Sequence, residues 1–94
     1  MPSRAPVNEK ERAEARRLAV DIARQIVDGR CAPYDGARRI WRDVIPRFVD
    51  DPQAGRLHPA FIGTAREWEE NPHARRQIEE RIRREAWQLI SDWR

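Results

Sequence analysis

The sequence predicts an all-α fold, a compact bundle of about four helices joined by short connections. Three observations predict it. Apolar residues recur every three to four positions along most of the 94 residues, which is the period of an amphipathic helix. No segment alternates apolar and polar residues over the length of a strand. Residues that cap or break helices stand between the apolar stripes, so each helix is short and packs against its neighbours.

The first helix is predicted over Asn8–Asp28, within one helical domain of residues 8–94 that follows a tail of residues 1–7. Asn8 is a favourable N-cap, and Glu11 follows it at the spacing of a capping box. Gly29 comes after the last apolar residue, where a glycine often ends a helix. The apolar stripe consists of Ala15, Leu18, Ala19, Ile22, Ala23 and Ile26.

The second helix is predicted over Pro33–Ile45. Pro33 suits the first turn of a helix, where its missing N–H is not needed. Pro46 ends or kinks the helix because it clashes with the preceding turn. Gly36 weakens the helix and is expected to let a neighbouring helix approach closely. The apolar positions are Tyr34, Ala37, Ile40, Trp41, Val44 and Ile45.

The third helix is predicted over Pro59–Glu70, after a loop at Asp50–Leu57 that is rich in turn-forming residues. Its buried side is expected to carry Phe61, Ile62, Ala65 and Trp68. Asn71 and Pro72 then stand at the N-cap and the first position of a further helix.

The fourth helix is predicted over Pro72–Asp92. Its apolar stripe consists of Ile78, Ile82, Ala86, Leu89 and Trp93, widened by Trp87 and Ile90. Arginine and glutamate alternate at i,i+4 on its outer face, and each such pair stabilises a helix by about 0.2–0.5 kcal/mol. The expected pairs are Arg75–Glu79, Arg76–Glu80, Glu79–Arg83, Glu80–Arg84 and Arg81–Glu85.

Composition favours a cytoplasmic protein. Cys31 is the only cysteine, so the chain cannot form an internal disulfide, as is usual in a reducing compartment. No apolar run approaches the roughly 20 residues that cross a bilayer, and residues 1–6 lack the apolar core of a secretory signal. We therefore expect no membrane partner.

The residue pattern predicts neither an enzyme nor a metal or cofactor site. Cys31, His58 and His73 are isolated from one another, with none of the spacings that bind a metal. The two serines, Ser3 and Ser91, lie in the tail and at a helix end. Four scattered glycines form no phosphate-binding loop.

The arginines of the first two helices allow two interpretations. The chain has 19 basic and 16 acidic residues and a net charge of +3, and the excess lies in residues 1–49, with 11 basic and 7 acidic residues. Arg38, Arg39 and Arg42 cluster on the second helix, with Arg16 and Arg17 on the first, and these arginines are candidates to bind phosphates. The alternative is a solvated face of ion pairs, whose acidic partners within helical reach are Glu14, Asp21, Asp35 and Asp43.

Trp87 and Trp93 are candidate contact residues for a partner, since tryptophan is enriched at binding hot spots. Both lie near the end of the last stripe, where a small bundle leaves side chains uncovered. For each of the two tryptophans, the sequence is compatible with a position in the core and with a position at an interface. Trp41 and Trp68 lie within apolar stripes and are expected in the core.

Residues 26–41, IVDGRCAPYDGARRIW, resemble small helical proteins of high-GC bacteria, of the actinobacterial type. The segments Phe61–Gly63, Trp68-Glu69 and Ile82–Leu89 extend this resemblance over most of the chain. Its motifs are packing and turn residues. The resemblance implies a small helical protein and no particular activity.

Two functions remain. The first is a non-catalytic protein–protein interaction module, namely an adaptor, a partner or an immunity-like protein, which binds another protein or a second copy of itself. The second is a small nucleic-acid-binding or regulatory protein that uses the arginine-rich face of the first two helices.

Overall fold

The computed structural model describes residues 9–48 and 51–93 and confirms the all-α bundle. The four α-helices are α1 (Glu9–Val27), α2 (Pro33–Asp43), α3 (Thr64–Glu70) and α4 (Arg75–Trp93). They are joined by 3-10 helices at Ile45–Phe48, Pro52–Arg56 and Pro72–Ala74, and by a π-helix at His58–Gly63. No strand occurs within the described ranges.

The end of α1 has the geometry that its glycine predicts. Gly29 has a φ of 80°, in the left-handed region that favours glycine. Its N–H donates to the carbonyl of Ile26 at 3.2 Å, and the N–H of Arg30 donates to the carbonyl of Gln25 at 2.9 Å. These two bonds form a Schellman motif, which satisfies carbonyls that the helix end would leave unpaired. The predicted cap at Asn8 lies outside the described residues.

The contact between α1 and α2 requires a glycine at position 36. A Cβ atom built on Gly36 would lie 2.5 Å from both Cγ1 and Cδ1 of Ile26, which is fully buried. The close approach expected from the sequence is therefore confirmed. Pro33 begins α2 as predicted, and the helix ends at Asp43, two residues earlier than predicted and before Pro46.

The prediction of an irregular loop at Asp50–Leu57 is wrong for Pro52–Arg56, which forms a 3-10 helix. Ala54 and Leu57 are buried, at 6% and 5% exposure. The 3-10 helix turns Ala54 toward the core, and Leu57, which follows the helix directly, is buried as well. The sequence predicts a loop here because turn-forming residues surround Ala54 and Leu57.

The predicted third helix is divided into two parts. Residues His58–Gly63 form the π-helix, which leads directly into α3. Ala60, Phe61 and Ile62 are all buried, and the Thr64 hydroxyl donates to the carbonyl of Ala60 at 2.6 Å. Packing of three consecutive side chains therefore determines the backbone here, and the sequence period alone does not indicate it.

The core lies between α1 and α4, whose mutual contact is the most extensive in the fold. Arg16, in the first half of α1, lies over Trp93 at the end of α4. The largest fully buried side chains are Ile22, Ile26, Ile40, Val44, Phe61 and Ile82. None of the described helices is long and apolar enough to span a bilayer.

Candidate interaction surfaces

A ring stack joins α2 to α3. The rings of Tyr34 and Trp68 have centroids 3.9 Å apart and planes inclined by 15°. The guanidinium carbon of Arg75 lies 3.8 Å from the Trp68 centroid. Two groups at stacking distance cannot share one ring face, so Tyr34 and Arg75 cover opposite faces of Trp68.

Hydrogen bonds fix the same tryptophan at its edge. The Nε1–H of Trp68 donates to Glu79 Oε2 at 2.9 Å, and Arg75 Nε donates to the Trp68 carbonyl at 3.1 Å. Trp68 is half-buried, with both ring faces and its N–H occupied. This residue therefore fastens α3 to α2 and α4 and has no open ring face for a ligand.

Glu69 connects the stack to the arginines of α2. The Tyr34 hydroxyl donates to Glu69 Oε2 at 2.5 Å, and Arg38 Nη1 donates to the same oxygen at 3.1 Å. Hydrogen bonding to the Glu69 carboxylate raises the pKa of Tyr34. Bonds from Tyr34 and then Arg38 lower the pKa of Glu69, because both favour its charged form.

Trp41 continues this surface along α2. The guanidinium carbons of Arg38 and Arg66 lie 5.6 Å and 5.7 Å from its centroid, within cation–π range. Trp41 is half-buried and lines an open depression with the exposed Pro46 and with Arg38 and Arg42. We call the surface formed by the following six residues the arginine–aromatic face: Tyr34, Arg38, Trp41, Arg66, Trp68 and Arg75.

The three arginines predicted as phosphate-binding candidates on the second helix bind three different partners. Arg38 pairs with Glu69 of α3 at 3.1 Å. Arg39 is half-buried and donates to Gln25 Oε1 of α1 at 3.3 Å. Only Arg42 binds an acid anticipated from the sequence, with its Nε 3.1 Å from Asp43 Oδ1. That hydrogen bond lowers the pKa of Asp43.

The prediction of i,i+4 ion pairs along the fourth helix is wrong for the described residues, which form none of them. The ion pairs of α4 reach other elements instead. Arg81 binds Glu67 of α3 at 2.7 Å, and Asp92 binds Arg56 at 3.4 Å. Exposed i,i+4 pairs are worth so little that contacts with neighbouring elements decide the rotamers.

The structure separates the two tryptophans predicted as contact residues. Trp93 is half-buried, with its ring centroid 5.2 Å from that of Phe48 and the Arg16 guanidinium carbon at 5.4 Å. Trp87 is 61% exposed and follows the exposed Arg83 and Arg84 by one helical turn. The Trp93 side chain therefore packs against the core at its edge, whereas the Trp87 side chain lies on the surface.

A groove beside α1 was not predicted. It is lined by Ala13, Arg16, Arg17, Val20, Asp21, Arg24 and Trp93. The contributions of Arg66, Glu69 and Arg75 were missed as well. No sequence signal pairs Glu69 with Arg38, because the two residues are 31 positions apart in the chain.

The described residues contain no group of three or more metal-ligating side chains. The thiol of the half-buried Cys31 donates to the carbonyl of Ala32 at 3.5 Å. A comparison of the chain with protein-family models, curated proteins and solved structures gives no match.

Proposed function

We propose that the protein is a non-catalytic protein-interaction module, an adaptor or partner that works in the cytoplasm and docks through the arginine–aromatic face. The depression at Trp41 and Pro46 carries this proposal. Two apolar residues, Trp41 and Pro46, line it together with Arg38 and Arg42. Location in the cytoplasm is supported by Cys31, the single cysteine, as a free thiol.

The composition of this face is that of a binding hot spot. Tryptophan, tyrosine and arginine are the residue types that contribute most to protein interfaces. Arg38 is already held by Glu69 and by the ring of Trp41. Ordering a flexible side chain at an interface costs about 0.5–1.5 kcal/mol, and folding has already ordered this one.

The partner is a protein segment that combines an apolar side chain with a carboxylate. The apolar group fits against Trp41 and Pro46, and the carboxylate fits the exposed guanidinium groups of Arg42 or Arg66. Arginine and carboxylate form two parallel hydrogen bonds, which gives such a contact its orientation.

A protein fits this face better than a nucleic acid does. Trp68 is covered on both faces, by Tyr34 and Arg75, and therefore offers no uncovered ring to a base. Glu69 and Asp43 stand among the arginines and repel phosphates.

Quantitative pull-down with the purified chain tests the proposal. The bait variants are Trp41→Ala and the double variant Arg42→Glu/Arg66→Glu, in nuclease-treated lysate of the native host. Arg17→Glu/Arg24→Glu is the matched control, because it makes the same charge change at exposed sites of α1, which contributes no residue to the face.

We expect the wild type and the control to retain the same acidic proteins. Binding of the purified partner should weaken about 30-fold in Trp41→Ala, the loss typical of a hot-spot residue. Equal retention by all four baits, with circular dichroism showing all of them folded, contradicts docking at this face. If the control and the double variant lose the partner to the same extent, the partner is held by net charge alone, which also contradicts docking at this face.

A further inference from the structure

The four tryptophans differ in what covers their rings. Arg16 lies over Trp93, Arg75 over Trp68, and two arginines over Trp41. Among the described residues, no aromatic ring or guanidinium group lies against Trp87. With 61% of its surface exposed, Trp87 presents a large apolar ring to solvent.

Two exposed arginines accompany this ring. Arg83 and Arg84 precede Trp87 by four and three residues, so the three side chains are neighbours on the surface of α4. Neither arginine forms an ion pair with any described residue. Arg76 adds a third cation on this side, and Glu80 is the acid that faces them. The local charge is therefore positive.

We propose that this outer side of α4 binds single-stranded nucleic acid, with a base stacked on Trp87 and phosphates bound by Arg83 and Arg84. An exposed aromatic ring beside cations is the element that sequence-tolerant single-strand binding proteins use. Any of the bases can stack, because each has a π-face. The phosphate charge complements the two arginines, which form no ion pair within the described part of the chain.

Stacking of a base on Trp87 requires a single strand. A base in a duplex is already stacked on both sides, so it reaches Trp87 only after it has left the helix. The proposed site is separate from the arginine–aromatic face, where Trp68 is covered on both sides. Mutations can therefore disrupt the outer side of α4 without changing the arginine–aromatic face, and the reverse.

Fluorescence anisotropy tests the proposal, with a labelled oligothymidylate of about 16 nucleotides, the upper site size of a small single-strand-binding fold. Oligothymidylate is suitable because its bases stack weakly on one another. The variants are Trp87→Ala, Trp87→Phe and Arg83→Glu/Arg84→Glu. Arg17→Glu/Arg24→Glu is again the control with the same charge change.

Trp87→Ala should weaken binding about 5- to 150-fold, the effect of removing one base-stacking ring. Trp87→Phe keeps a ring and should retain most of the affinity. Loss of two phosphate contacts in Arg83→Glu/Arg84→Glu should make the slope of log affinity against log salt shallower by about 1.4 between about 50 and 200 mM salt.

Absence of oligothymidylate binding by the wild type at low salt overturns the proposal. Equal affinity of Trp87→Ala and the wild type for oligothymidylate overturns it as well. An equal loss of affinity in the two charge variants also overturns it, because such a loss would show attraction by net charge alone. Tighter binding of a duplex of the same length overturns the single-strand assignment. Protein capture through the arginine–aromatic face should persist in the Trp87 variants, so the two proposals fail independently.

Discussion

Tyr34 of α2 and Trp68 of α3 stack with their ring centroids 3.9 Å apart, and Arg75 of α4 closes the free face of the tryptophan. The Trp68 side chain thereby connects α2, α3 and α4. The stack also fixes the position of Glu69, which binds both Tyr34 and Arg38. The orientation of the arginine–aromatic face therefore depends on this contact.

The stack should be measurable as a coupling energy. We expect a double-mutant cycle with Tyr34→Leu and Trp68→Leu, followed by urea unfolding, to give a coupling of about 0.5–1.5 kcal/mol, the range for aromatic pairs. The cycle of Tyr34→Leu with Trp93→Leu is the control, because these rings make no contact with each other. It should be additive within about 0.5 kcal/mol. Additivity in the first cycle would show that the stack contributes nothing.

The hydroxyl of Tyr34 should ionise above the usual pH of tyrosine. The chain has a single tyrosine, so the near-ultraviolet absorbance of phenolate reports Tyr34 alone. Its hydrogen bond to Glu69 is the largest cause of the raised pKa. In Glu69→Ala the midpoint should move down, toward the ordinary value of about 10. An unchanged midpoint would mean that Glu69 does not control the ionisation.

The same shift determines the direction of a stability change with pH. Because the folded state raises the pKa of Tyr34, folding favours the neutral phenol. This contribution is complete below the tyrosine pKa of the unfolded chain, about 10, and is lost as the pH rises through the folded-state value. Thermal melts of wild type and Tyr34→Phe should therefore converge at alkaline pH. Parallel curves would contradict the linkage.

Gly36→Ala should destabilise the protein, although alanine is the better helix former by about 1 kcal/mol. The added Cβ would lie 2.5 Å from two side-chain carbons of Ile26, which is fully buried and would have to shift within the packed core. We expect a net loss of about 1–3 kcal/mol, as for other overpacked cores. Urea unfolding provides the measurement.

Gly63→Ala is the control for this substitution. Its Cβ would meet only the His58 carbonyl oxygen, at 3.9 Å, an ordinary van der Waals contact. We expect Gly63→Ala to be neutral or slightly stabilising. If both alanine variants are as stable as the wild type, the contact between Gly36 and Ile26 does not limit packing.

Trp93→Ala and Trp87→Ala should differ in stability. Trp93 packs against Phe48 and under Arg16, so its truncation should cost about 1–3 kcal/mol, less than the loss for a fully buried tryptophan. Trp87 is 61% exposed, and its truncation should change stability by less than about 0.5 kcal/mol. Differential scanning calorimetry checks both values. A larger loss in Trp87→Ala would reverse their assignment to core and surface.

Much of the helical structure could be predicted because it depends on local contacts. Gly29 and Pro33 determine where α1 ends and where α2 begins through backbone properties of those two residues alone. The apolar stripes predicted the buried sides, including Ile22, Ile40 and Ile82. The 3-10 helix at Pro52–Arg56 was missed because turn-forming residues surround its two apolar side chains.

The surfaces depend on tertiary contacts that no local pattern contains. Arg38 had an acid within reach on its own helix, Asp35, yet it binds Glu69 of α3, because packing brings Tyr34 and Glu69 together. The α4 stripe contained both Trp87 and Trp93, and the positions of Phe48 and Arg16 distinguish the covered ring from the exposed one. Helix formation involves residues three or four positions apart, so the sequence alone determined it. The burial of a ring and the partner of a charge involve residues far apart in the chain, so only the tertiary structure decided them.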